Sequence, residues 1–133
     1  MPVYPETRGG VILCIDDNQD VLECEKEFLE GFGYTVLTAC NGSKGLELAS
    51  IHSVDVVILD DFMPVMNGQQ VAMEMRRIRP QAPIILLTGA VDVPERTLNL
   101  VDALVAKHRL TSQLLPTIAY LQGCARIPPR YDA

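Results

Sequence analysis

The chain has no apolar run approaching the roughly 20 residues that a membrane-spanning helix requires; its longest apolar stretches, such as VDVVIL at 54–59, are the size of strands. The opening residues MPVYPETRGG contain no apolar h-region, so no signal peptide is read there. Positive charge is in deficit: 11 Lys and Arg against 17 Asp and Glu leave a net charge of −6. Such a field does not favour direct contact with nucleic acid or with an anionic membrane surface. The one basic cluster, Arg76-Arg77 with Arg79, reads as a solvated helix end. Metal-type cysteine spacing is missing too, because Cys14, Cys24, Cys40 and Cys124 form neither a CxxC pair nor a Cys/His pattern. Cys14 in an apolar strand and Cys24 on an apolar helix face read as small core residues. There is no internal repeat and no linker. These absences point to a reduced, cytoplasmic protein with one domain, and 133 residues, 48% of them apolar, suffice for one core.

What is present alternates regularly. Apolar runs at VILCI (11–15), TVLTA (35–39), VDVVIL (54–59), PIILL (83–87) and DALVA (102–106) read as strands. TVLTA is the least apolar and is expected at a sheet edge. Between the runs, Asn18–Phe32 has helical spacing, with Val21, Cys24, Phe28 and Phe32 on one face and Leu22 and Leu29 beside them. A second helix is expected from an N-cap at Ser43 through Leu46 and Ala49 to about His52. A third carries Val71, Met75 and Ile78 inward and stops before Pro80, and a last one aligns Leu110, Leu114, Ile118 and Leu121. The segment 89–100 is weak, with Pro94 near a short helix start. Five βα units in succession imply an α/β fold: a parallel sheet, doubly wound, with helices on both faces. Residues 1–10 read as an N-terminal arm, 11–122 as the domain and 123–133 as a tail or linker stub.

The polar residues that follow the strands carry the chemistry. Asp16 and Asp17 follow the first, Asp60 and Asp61 the third, Thr88 the fourth and Lys107 the fifth. In open parallel sheets, ligands bind beyond the carboxyl ends of the strands. If the first and third strands are neighbours, several carboxylates meet there, and a compact oxygen-rich site suits Mg²⁺. Mg²⁺, a lysine and a hydroxyl around an aspartate could neutralise the three oxygens of a phosphoryl group transferred to that aspartate. Taken singly, each group has a plainer explanation. Asp16-Asp17 could lead into a helix cap, Asp60-Asp61 could be turn residues, Thr88 an ordinary strand-end hydroxyl and Lys107 a surface lysine. Their joint placement at one end of one sheet is not explained that way. Met63, Met66, Met73 and Met75 read as core or loop packing, and His52 and His108 have no partner in sequence.

With IDDNQD, LDDFMPVMNG, LLTGA and VAK in that order, residues 11 to about 122 resemble the receiver domain of two-component response regulators. The resemblance implies a CheY-like, flavodoxin-like sheet of strand order 2-1-3-4-5. It implies that Asp60 is the phospho-acceptor, that Asp16, Asp17, Asp60 and the backbone carbonyl of Phe62 hold Mg²⁺, and that Thr88 and Lys107 contact the phosphoryl group. The distance from Asp60 to Met63-Pro64 favours Asp60 over Asp61, which points away by strand alternation. The implied partners are a sensor histidine kinase or phosphotransfer protein and a downstream protein, with a homodimer also compatible. The domain would phosphorylate and dephosphorylate itself without acting as an enzyme on a separate substrate. Two departures concern signalling: Leu104 stands where the family usually has an aromatic residue, and 88–107 is about one helical turn short. His108 replaces a usual proline after Lys107, so a trans bond is expected there. Phe62 and Ala90 match the positions flanking the path of hydrolytic water, and bulky Phe62 is expected to give a long-lived phosphorylated state. An alternative is a degenerate receiver serving as a phosphorylation-independent interaction module. A small phosphohydrolase is disfavoured because Phe62 occupies the usual general-acid position. A flavodoxin-like nucleotide binder is disfavoured because the first loop presents carboxylates rather than N–H groups.

Overall fold

A computed structural model describes residues 9–89 and 92–123. In it, five strands form one parallel sheet in the order β2-β1-β3-β4-β5, as the resemblance implied. The strands are β1 (Val11–Ile15), β2 (Thr35–Ala39), β3 (Val56–Asp60), β4 (Ile84–Thr88) and β5 (Ala103–Ala106). The helices are α1 (Gln19–Glu30), α2 (Gly42–Ile51), α3 (Gly68–Ile78), α4 (Glu95–Leu98) and α5 (Leu110–Leu121), and a 3₁₀ turn over Lys107–Arg109 precedes α5. β2 lies at an edge, as its weaker apolarity predicted.

Two apolar layers hold the helices to the sheet. Alternate residues of the central strands (Ile12, Cys14, Ile58, Ile85, Leu87) meet Leu22 and Leu29 of α1 and Leu114 and Ile118 of α5. The others (Leu13, Ile15, Leu59, Leu86) meet Ala49 of α2 and Val71 and Met75 of α3. Strands covered on both faces are continuous apolar runs for this reason, and period-two alternation sorts each residue to its layer.

Several local expectations shift. Asn18 caps α1, its side chain accepting from the N–H groups of Asp20 and Val21 at 3.0 and 3.2 Å. α2 begins earlier than predicted because Asn41, not Ser43, is its cap, accepting from Lys44 N–H at 2.8 Å. β3 and β4 each run one residue beyond their predicted ends, so Asp60 and Thr88 are strand residues. Cys24 is exposed rather than core, and Glu25 takes the inward position beside Leu22 and Leu29. Cys14 is buried as expected. Met63 and Met75 are core, whereas Met73 is exposed. The arginine cluster is not merely solvated. Arg76 donates to the carbonyls of Leu100 and Ala82 and pairs with Asp102, while Arg79 donates to the carbonyl of Ala49. The predicted shortness of the fourth helix is observed: α4 has four residues, tied to α3 by a Thr97–Gln69 hydrogen bond of 3.0 Å. Cys124 and Ala90 lie outside the described residues, as do 1–8 and 124–133 of the expected arm and tail.

Candidate functional site

The carboxyl end of β1 places the first two aspartates. Asp16 N–H donates to Ala39 O at 3.1 Å, extending the β1–β2 ladder by one residue. Its Oδ1 accepts from Asn18 N–H at 2.9 Å, so one short turn both holds Asp16 and caps α1 through Asn18. The helix cap thus falls to Asn18 rather than to Asp16 or Asp17. Asp60, the final residue of β3, is 2% exposed. Carboxylate oxygens of Asp16, Asp17 and Asp60 all lie within 4.8 Å of one another. Lys107, just past the end of β5, reaches across to put its Nζ 2.7 Å from Asp60 Oδ1. Among the described residues no peptide bond is cis, in agreement with His108 replacing proline.

Three carboxylates facing one ammonium leave two negative charges uncompensated. Burial raises the pKa of Asp16 above its ordinary value; the Asn18 N–H opposes this and the Asp60 charge adds to it. Burial alone would lower Lys107, but its bond to Asp60 and the charges of Asp16 and Asp17 outweigh that and hold it above its ordinary value. The donor set fits a divalent, oxygen-seeking cation of the Mg²⁺ type: the charge matches, and a few carboxylates leave room for water ligands. Phe62 lines the same cavity of about 630 Å³, which extends over Val21, Leu87 and Leu110 between α1 and α5. A smaller pocket of about 340 Å³ at the opposite end of the sheet offers Arg79, whose guanidinium is already engaged by the carbonyls of Ala49 and His52.

Glu25 was missed in the sequence. It is 2% exposed, lines the cavity, and its Oε1 has no hydrogen-bond partner. Burial, then the Asp16 charge, pushes its carboxyl up to about 7, against the relief of a hydrogen bond with Cys14. The signal for it was a charged residue three positions after Leu22 and four before Leu29, on the apolar stripe itself.

Thr88 and Asp61 sit elsewhere. Thr88 Oγ1 donates to Asp61 Oδ2 at 3.0 Å. Asp61 thus points away from Asp60, as alternation required, and takes the Thr88 hydroxyl as its partner. The loop beyond β3 folds back tightly: a Cβ on Gly68 would come within 2.9 Å of Asp60 O and 3.0 Å of Asp61 Cα. Within it Phe62 is 88% exposed, and Val65 is fully exposed at φ +67°, a costly backbone for a β-branched residue.

Comparison with known proteins agrees with this geometry. The family model for the response regulator receiver domain matches residues 12–108. A probable transcriptional regulator, ycf27, of Cyanidium caldarium is 37% identical over 93 residues, 70% of this chain and 37% of its own length. The autoinducer 1 sensor kinase/phosphatase LuxN of Vibrio harveyi is 31% identical over 103 residues, 77% of this chain but 12% of its own. The chain thus spans well under half the length of these relatives. Among solved structures, the response regulator protein TrrA of Thermotoga maritima, in complex with Mg²⁺-BeF, superposes with a TM-score of 0.79 at 34% identity, covering 84% of this chain and 98% of that one. The chemotaxis protein CheY4 of Vibrio cholerae superposes at 0.76 and 27% identity, covering 88% and 99%.

Proposed function

This chain belongs to the response regulator receiver domain family, and from that premise we propose that Asp60 accepts a phosphoryl group from a histidine of a sensor kinase or phosphotransfer protein. The observation that carries the proposal is the buried Asp60 carboxylate, bonded to Lys107 and facing the Asp16 and Asp17 carboxylates. An Asp60 oxygen attacks phosphorus, the P–N bond of the donor breaks, and an acyl phosphate forms while the imidazole leaves. Lys107 draws charge from the phosphoryl oxygens, and Asp16 and Asp17, with the Phe62 carbonyl, would hold the cation. Mg²⁺, when bound, neutralises the remaining charge and orients the group in line. The complex of TrrA with Mg²⁺-BeF supports this assignment of the ion.

The result is a signalling domain that modifies itself rather than a separate substrate. The added charge switches a protein-interaction surface, which a downstream protein or a second copy reads. Among the described residues no helix is long and apolar enough to cross a membrane, in keeping with a cytoplasmic site of action. The alternative, a phosphorylation-independent interaction module, draws support from the four-residue α4 and from Leu104. The buried Asp60 with Asp16, Asp17 and Lys107 around it outweighs it. The deciding experiment is phosphorylation by acetyl phosphate with and without Mg²⁺: labelling lost in Asp60→Asn supports the receiver chemistry, and no labelling supports the module.

A further inference from the structure

β3 and β4 run side by side with Asp60 opposite Leu87. Alternation sends Val56, Ile58 and Asp60 toward α1 and α5, where Val56 and Ile58 join that core layer together with Ile85 and Leu87. Val57 and Leu59, with Ile84 and Leu86, face α2 and α3. Carried one step further, Asp61 and Thr88 fall on this second side, and the hydrogen bond between Thr88 Oγ1 and Asp61 Oδ2 joins them.

We propose that Asp61 is a positioning residue for phosphorylation: it holds the Thr88 hydroxyl on the side of the sheet away from Asp60, and the hydroxyl must leave it to reach a phosphoryl group. The inference rests on the reading of Asp60 as phospho-acceptor. A hydroxyl has one proton to donate, so the Asp61 carboxylate and the phosphoryl oxygens compete for it. The Asp61 backbone is held in place: its N–H is bonded to Leu87 O at 3.0 Å, and its carbonyl accepts from Gly68 N–H at 3.2 Å. The group that changes partner is the Thr88 hydroxyl.

The exchange has a consequence on the α4 side. When Thr88 turns to the phosphoryl group, Asp61 loses a donor and becomes a partly exposed carboxylate seeking another. Leu104 of β5 packs into the layer on that same side, as do Val93, Leu100 and Val101. The released carboxylate thus lies on the side of the sheet where Leu104 packs.

The test pairs Asp61 with Thr88. Labelling by limiting acetyl phosphate in Mg²⁺ is followed in the full chain for wild type, Asp61→Ala, Asp61→Asn, Thr88→Val and the double variant Asp61→Ala/Thr88→Val. Release from a charged acceptor is expected to raise the phosphorylated level of Asp61→Ala roughly tenfold. Asp61→Asn, which keeps a weaker acceptor, should rise less, and Asp61→Ala should change nothing when Thr88 is already valine. Without Mg²⁺ or donor, the three-bond NMR couplings of Thr88 should report one χ1 rotamer in wild type and averaging in Asp61→Ala. An equal rise with and without Thr88 would reduce Asp61 to a repulsive charge and overturn the proposal. Unchanged Thr88 couplings in a folded Asp61→Ala protein would overturn it as well. A wild type that takes no label while its Thr88 shows one rotamer would instead refute the Asp60 reading, and with it the positioning role.

Discussion

In the half of the molecule built on β2, β1 and β3, every helix start is closed by an asparagine: Asn18 for α1, Asn41 for α2, and Asn67 for α3 in a reciprocal capping box with Gln70. In the half built on β4 and β5, neither α4 nor α5 has a side-chain cap, β5 has four residues, and α4 has four. The acid site draws Asp16, Asp17 and Asp60 from the first half and only Lys107 from the second. Placing three like charges within a few ångströms demands rigid supports, because each carboxylate left to itself would turn toward water. A surface that must change state needs the opposite, few interactions to break. On the function proposed above, the first half holds the charges in place and the second carries the surface that would change with them.

Truncations on α3 and α4 test the contrast most heavily. Met75→Ala, fully buried in α3, should cost about 3 kcal/mol by urea unfolding. Leu98→Ala on α4, 40% exposed, should stay within about 0.5 kcal/mol. Equal costs would erase the distinction between the halves.

A comparable effect is expected at Glu25, through pH. Its carboxyl is raised from 4.5 to about 7 in the fold. The unfolded chain therefore releases that proton above about pH 4.5, while the folded chain keeps it until near 7. The associated stability is fully present at low pH and is lost as pH rises across this interval, by about 3 kcal/mol. Asp16, also raised, acts in the same direction; Lys107, raised from 10.5, acts only in alkali. The other groups facing Glu25 are Cys14, whose thiol burial also raises, the Asp60 charge and the opposing charge of Lys107. Glu25→Leu should flatten most of the slope in metal-free unfolding curves and raise stability at pH 8. An unchanged slope would place the titration elsewhere.

Smaller effects belong to the loop between β3 and α3. Phe62 offers water no polar group beside Asp60, so Phe62→Asn should shorten the phosphorylated lifetime by roughly an order of magnitude. A wild-type half-life of seconds in Mg²⁺ buffer would remove the basis for that expectation. Smallest of all, Val65→Asn should add about 1 kcal/mol of stability by relieving the left-handed backbone at φ +67°. A loss instead would mean that exposed Val65 makes a contact worth more than its strain.

Much of this architecture is legible in the order of residues. Strands buried on both faces must be apolar throughout, so VILCI, VVIL and IILL stand out, and Asp16, Asp60 and Thr88 are found by where those runs stop. Lys107 follows the weaker run by the same logic. Glu25 escaped because helical spacing leaves adjacent positions nearly equivalent, and Cys24 is the more apolar neighbour. Asn41 and Ser43 both cap well, and the choice between them depends on where β2 releases the chain. The Asp61–Thr88 bond was illegible for a deeper reason. It depends on the register between two strands separated by a whole helix, which no local pattern encodes.

The most direct test of the central claim is the mass of the protein, and then of its peptides, after incubation with acetyl phosphate in the presence and absence of Mg²⁺. The account predicts a Mg²⁺-dependent gain of one phosphoryl group on the peptide containing Asp60, absent in Asp60→Asn. No gain, or a gain that persists in Asp60→Asn, would contradict it.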